Sequence, residues 1–94
     1  MRNIAVTLLA IAAILLEATD VLSTYHMLAR GGHEQNPIVA WFMQVLGHAW
    51  PICKLPEGAL IVVLWAFAPR PLAMICLALM VAGYSYVVWH NYQI

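Results

Sequence analysis

Four carboxylates and one lysine carry most of the chemistry this sequence offers. Glu17, Asp20, Thr24 and Met27 follow one another at i, i+3, i+7 and i+10, so on a helix they share one face. Lys54 and Glu57 stand at i, i+3 further along, and Glu34-Gln35-Asn36-Pro37 lies between the two groups. In an apolar setting a charge costs several kcal/mol unless it is paired, protonated or watered. Asp20 with Lys54 is the expected pair. Such a pair either fixes helix register or holds a polar ligand, and Asp20, Thr24, Glu34, Asn36, Lys54 and Glu57 are the candidate ligand- or ion-binding residues. A carboxylate in low dielectric can also act as general acid or base, which makes Asp20 and Glu34, with His33 or His90 as partners, the candidate catalytic groups.

The histidines raise a metal site. Three side chains drawn from His26, His33, His48, His90 and Glu34 would hold a zinc-like ion if the loop folds over the bundle. His33-Glu34 lacks the second histidine four residues on that a zincin helix requires, so the commoner expectation is histidines scattered at helix ends. Cys53 and Cys76 form no CxxC pattern, and their depths in the expected spans differ too much for a disulfide. Ser23, Thr24 and Ser85 are the hydroxyl candidates. With no GxSxG, they read first as backbone-bonded or packing residues.

The elements that must position these groups follow from composition. The 94 residues are 65% hydrophobic and 9% charged with zero formal net charge, too little polar material to cover a water-soluble domain. Four scattered basic residues exclude a nucleic-acid partner. The expected partner is the lipid bilayer. Spans of about 20 apolar residues are predicted over 4–28, 49–68 and 72–89, in a single all-α membrane domain covering 1–94. Arg2 and the apolar run 4–16 could head a signal peptide, but no small-x-small site follows, so the run reads as an uncleaved first span. Gly31-Gly32 ends that helix, Asn36 caps the next and Pro37 opens it, giving a short interfacial or re-entrant helix over 37–47. A fourth span over 38–53 would leave only 55–68 for its successor, so three spans fit better. Pro69 and Pro71 mark a tight hairpin before the last span, whose end carries Tyr84, Tyr86, Trp89 and Tyr92 as an aromatic belt. Pro56 either interrupts the second span, freeing the carbonyl of Ile52, or starts the helix there, leaving Lys54 in the loop.

Mapped onto three spans, six of the eight charged residues and all four histidines gather at one end, and Arg2 and Arg70 stand alone at the other. With Lys54 paired inside the bundle, the remaining basic residues favour an inside N-terminus and an outside C-terminus.

Asp20-Val-Leu-Ser-Thr24, Gly32-His-Glu34-Gln-Asn36-Pro37 and the membrane Lys54 together resemble a widespread family of small prokaryotic polytopic membrane proteins of unknown function. Its members share an Asp-x3-Thr helix, a Gly-x-Glu-x-Asn-Pro loop and a membrane lysine. The resemblance covers about 17–60 and singles out Asp20, Thr24, Glu34, Asn36, Pro37 and Lys54. It implies a polytopic protein of the prokaryotic inner membrane and supplies neither an activity nor a cofactor. The leading expectation is a non-enzymatic membrane protein whose polar cluster organises the helices and holds a small polar ligand, ion or proton near the outer face. A homo-oligomer or larger membrane complex would complete so small a site. The alternatives are an intramembrane enzyme using Glu34 or Asp20 with histidine and a metal, and a holin-like pore lined by the Glu17-Asp20-Thr24 face.

Overall fold

A computed structural model describes residues 3–94, so Arg2 lies outside the described residues. The described chain is all helical: α1 (Ile4–Ala29), α2 (Pro37–Leu46), the 3-10 segment η1 (Gly47–Lys54), α3 (Leu55–Phe67) and α4 (Arg70–Tyr92). Three helical stretches, Ile4–Ala29, Pro37–Phe67 and Arg70–Tyr92, are long and apolar enough to cross a membrane. Large apolar side chains such as Leu8, Leu15, Leu22, Phe67, Ile75 and Leu79 face outward.

Local chemistry sets the ends. Asn3 caps α1 by accepting the Ala5 N–H at 2.8 Å. At the other end Gly31 and Gly32 return their N–H groups to Leu28 and Met27, at 3.1 and 3.0 Å, with Gly31 at φ 83°. This paired arrangement satisfies the last carbonyls and needs a residue that tolerates positive φ. Asn36 then caps α2 through the Ile38 N–H at 3.0 Å, with Pro37 in the first turn.

The second stretch is not one straight rod. Gly47, at φ 57° and ψ −124°, breaks it after α2. Val39 of α2 and Lys54 of η1 line the same groove although 15 residues separate them, so the chain doubles back at Gly47 and α2 packs beside η1. Alone, α3 measures about 20 Å and falls short of a hydrocarbon core of about 30 Å. The 3-10 segment, at about 2 Å per residue, adds the missing length. Pro56 lies in the first turn of α3, and the Ile52 carbonyl accepts the Leu55 N–H. Pro56 is therefore a helix starter, and the expected break with a freed Ile52 carbonyl does not occur.

One face of α1 runs through both halves of the bundle. Its buried residues are Val6, Ala10, Ala13, Asp20, Ser23, Thr24 and Met27, spaced by three, four or seven apart from the adjacent pair Ser23-Thr24. In the first half Val6, Ala10 and Ala13 pack with Ile61 of α3 and with Ala73 and Leu77 of α4. Small side chains there let the backbones approach closely. The Trp65 indole N–H donates to the Thr7 hydroxyl at 3.0 Å and joins α3 to α1 at this end. Since Trp65 meets Thr7 while Lys54 meets Asp20, α3 runs antiparallel to α1. Because Ala73 packs near Val6 and Asn91 reaches Ser23, α4 runs parallel to it.

Overpacking tests this arrangement. Ala13→Leu, at a fully buried position, is expected to destabilise the bundle by about 1–3 kcal/mol. Ala18→Leu, on the exposed side of the same helix, should be near neutral. Reversible unfolding in mixed micelles measures both.

Candidate functional site

The second half of the α1 face is polar, and other elements meet it there. Lys54 Nζ stands 3.1 Å from Asp20 Oδ2, with side-chain exposures of 14% and 6%, so this is a largely buried ion pair. Lys54 also lies 3.9 Å from Glu57 Oε1, one turn on. The Tyr84 hydroxyl of α4 donates to Glu57 Oε2 at 2.9 Å. Glu17 rests against α3, its Oε2 3.3 Å from where a Cβ on Gly58 would stand. Any side chain at that position would crowd the carboxylate.

Behind the ion pair lies a second, neutral network. The hydroxyls of Ser23 and Thr24 donate to the Asp20 carbonyl at 2.9 and 2.8 Å. Asn91 Nδ2 of α4 donates to Ser23 Oγ at 3.1 Å and to Thr24 Oγ1 at 3.4 Å. Ser23, Thr24 and Asn91 are all buried, so these bonds hold α4 in register with α1. Thr24, expected in the binding cluster, instead works at this helix contact.

Two cavities open at this end. A groove of about 410 Å³ is lined by Asp20, Glu34, Asn36, Lys54, Glu57 and Tyr84 together with apolar residues of α2 and α4. A smaller cavity of about 170 Å³ is lined by His33, Glu34, Asn36, His90 and Asn91 among others. Glu34 and Asn36 belong to both, so the loop between α1 and α2 forms the wall between them. The loop is self-supported, with Glu34 Oε1 accepting the Asn36 N–H at 3.1 Å.

A family model described as Domain of unknown function (DUF5658) matches residues 11–94. The chain belongs to the DUF5658 family. No curated protein and no solved structure matches it. The matched stretch of the DUF5658 chain contains every polar residue of the two networks and both cavities.

Of the residues singled out from sequence, the DUF5658 fold brings Asp20, Lys54, Glu57, Glu34 and Asn36 to one groove. It does not bring the histidines together. Among the described residues no three His, Cys, Asp or Glu side chains are placed to hold a metal ion. His26 packs on Tyr92 with ring centroids 4.9 Å apart, and His48 is exposed on η1. Only His33 and His90 share a cavity with Glu34. Cys53 and Cys76 are free thiols.

Three participants escaped the sequence reading: Asn91, Tyr84 and Gly58. Leu77, Tyr84 and Asn91 are spaced by seven, the spacing that keeps residues on one face of a packed helix, and that was the available signal. Tyr84 therefore departs from the expected aromatic belt, whereas Tyr86, Trp89 and Tyr92 stay exposed.

Two substitutions at this end have distinct expected signatures. Asp20→Asn and Lys54→Met should each cost about 3 kcal/mol, because each strands a charge or polar group, and the double variant should recover much of the loss. Simple additivity in a double-mutant unfolding cycle would show the two residues uncoupled. Asn91→Leu should cost about 1 kcal/mol without changing the Asp20–Lys54 coupling.

Proposed function

We propose that this DUF5658 chain is a membrane-spanning protein of the prokaryotic inner membrane that holds a small polar ligand, ion or proton in a groove at the outer end of its bundle. The observation that carries this reading is the groove itself. Three carboxylates, Asp20, Glu34 and Glu57, line one space of about 410 Å³ with Lys54 and Asn36. A polar cluster needed only for packing would close on itself, as Ser23, Thr24 and Asn91 do. This one stays open.

Three apolar stretches favour the bilayer as surroundings, and three crossings would leave the two chain ends on opposite sides. With Lys54 engaged by Asp20, Arg2 before the first span and Arg70 in the turn before the last outnumber Arg30, which favours an inside N-terminus. The Glu17-Asp20-Thr24 face is turned toward α3 and α4 within the protomer, which favours a site inside the bundle over a pore lined by that face. The outward apolar side chains leave room for a homo-oligomer that completes the groove's rim.

Val87 lines both cavities and reports on them. With Cys53 and Cys76 replaced by alanine, Val87→Cys in proteoliposomes should react with a cationic ethylammonium thiosulfonate faster than with its anionic sulfonate counterpart. The preference should fall when Glu34→Gln and Glu57→Gln are added. A folded protein whose Val87→Cys thiol reacts with neither reagent from either side would sink the reading, because the groove would then be closed to polar molecules.

A further inference from the structure

The lining of the groove narrows the ligand, and this step rests on the reading just given. That lining is mixed: Asp20, Glu34, Lys54, Glu57 and Tyr84 bring polar groups, and Val39 of α2 with Met80, Gly83 and Val87 of α4 bring apolar surface. Met80, Gly83 and Val87, at i, i+3 and i+7, form a strip along α4 that runs from the level of the ion pair, where Val87 stands one turn before Asn91, inward to Met80 against the apolar core. Beyond its chain neighbours and its own helix backbone, nothing lies within 4 Å of where a Cβ on Gly83 would stand, and both Gly83 and Val87 are exposed. The strip is therefore open to the side, toward the lipid that surrounds α4. A space lined by both charged and apolar side chains, with a lateral opening, fits a molecule with a polar head and a hydrocarbon chain better than it fits a hydrated ion.

The charges choose the head. The groove's lining holds three carboxylates against one ammonium. Lys54 is committed to Asp20 at 3.1 Å and stands farther from Glu57, at 3.9 Å. Glu57 Oε2 receives the Tyr84 hydroxyl and Glu34 Oε1 receives the Asn36 N–H, both neutral donors, so the one ammonium shared by Asp20 and Glu57 leaves the lining with a net negative charge. An anionic head would add to that surplus. A primary ammonium offsets it and brings three N–H donors for the remaining carboxylate lone pairs.

We infer that the groove binds an amphiphile with a primary-amine head, entering from the bilayer with its head at Glu34 and Glu57 and its chain along Met80, Gly83 and Val87. Lys54 stays paired with Asp20 and shapes the floor of the site.

The test titrates the detergent-purified full chain with dioleoyl phosphatidylethanolamine, dioleoyl phosphatidylglycerol and water-soluble ethanolamine, reading bound adducts by native mass spectrometry. The amine lipid is expected to bind at least tenfold more tightly than the glycerol lipid. Glu34→Gln with Glu57→Gln should abolish that preference, and Gly83→Leu should weaken amine-lipid binding at least tenfold at an unchanged melting temperature. If Gly83→Leu itself lowers the melting temperature, Val87→Phe replaces it with the same expectation. Equal binding of the two lipids, or no effect of filling the strip, overturns the proposal. Ethanolamine binding as tightly as the amine lipid overturns lateral entry and makes the ligand a water-soluble amine. If the Val87→Cys thiol shows its cation preference while neither amine binds, the groove remains a site for another polar molecule; if that thiol is sealed, both readings fall.

Discussion

The ion pair between Asp20 and Lys54 is the constraint on which the polar end of this bundle depends. Neither residue is tolerable alone among apolar helices: an unpaired charge costs several kcal/mol there, a large share of any small protein's stability. Their contact at 3.1 Å requires Lys54 to come opposite the fifth turn of α1, well below the helix end. The reversal at Gly47 makes this reachable, because the chain leaves the bundle along α2 and comes back along η1. Eight residues of 3-10 helix form a longer run than is usual, since the backbone bonds are poorer than those of an α-helix. Pro51, inside the segment, and Pro56, just after it, both disfavour a regular α-helix there, and the segment delivers Lys54 to its partner without one.

The buried face of α1 divides its work by depth. Toward the N-terminus it holds small apolar residues, and adhesion to α3 and α4 comes from close packing. Toward the C-terminus the same face holds Asp20, Ser23 and Thr24, and adhesion comes from directed bonds. Packing alone would let α4 slide along α1 with little penalty, since alanine and leucine present no strongly directional contacts. The Asn91 bonds to Ser23 and Thr24 remove that freedom, because a shift would leave buried polar groups without partners. Fixing α4 also fixes Tyr84, seven residues earlier, against Glu57. The neutral network thus sets the shape of the charged one.

How much of this was legible in the sequence follows from which rules act locally. The helix count, the caps at Asn36 and Gly31, and the Asp20–Lys54 pair depend on periodicity, capping chemistry and the cost of a lone charge, and each can be read from a short window. Tyr84 and Asn91 depend on which side of α4 meets α1, and hydropathy is nearly uniform around that helix, so no apolar stripe announces the contact. Aromatic residues near a helix end fit a membrane interface as well as a site, so Tyr84 was grouped with Tyr86, Trp89 and Tyr92 although it turns inward. The parallel course of α1 and α4 follows from three spans, and it places Asn91 level with Ser23; combined with the seven-residue spacing, that argument could have found the network. Gly58 carries no such mark, because its role is to be absent where Glu17 needs room. The histidines follow the commoner expectation of scatter at helix ends: abundance at one end of a sequence says nothing of azimuth, and His26 packs on Tyr92 while His48 lies exposed on η1.

The charge balance of the whole chain hides a local imbalance that separates support from recognition. Lys54 neutralises Asp20, and this couple behaves as part of the frame, buried and committed. Glu34 is then left with a neutral donor, Asn36, and Glu57 with Tyr84 and the more distant contact to Lys54 at 3.9 Å, so one ammonium serves three carboxylates. Exchanging Glu34 for glutamine would relieve repulsion while the amide kept an acceptor oxygen for the Asn36 bond, and at Glu57 the exchange would give up only the contact to Lys54 at 3.9 Å. Two such charges beside an open space make physical sense if something positive enters that space, as proposed. The frame and the carboxylates that the proposed ligand would meet are therefore separable: removing the first should unfold the polar end, while neutralising the second should leave the bundle standing and the groove indifferent to charge.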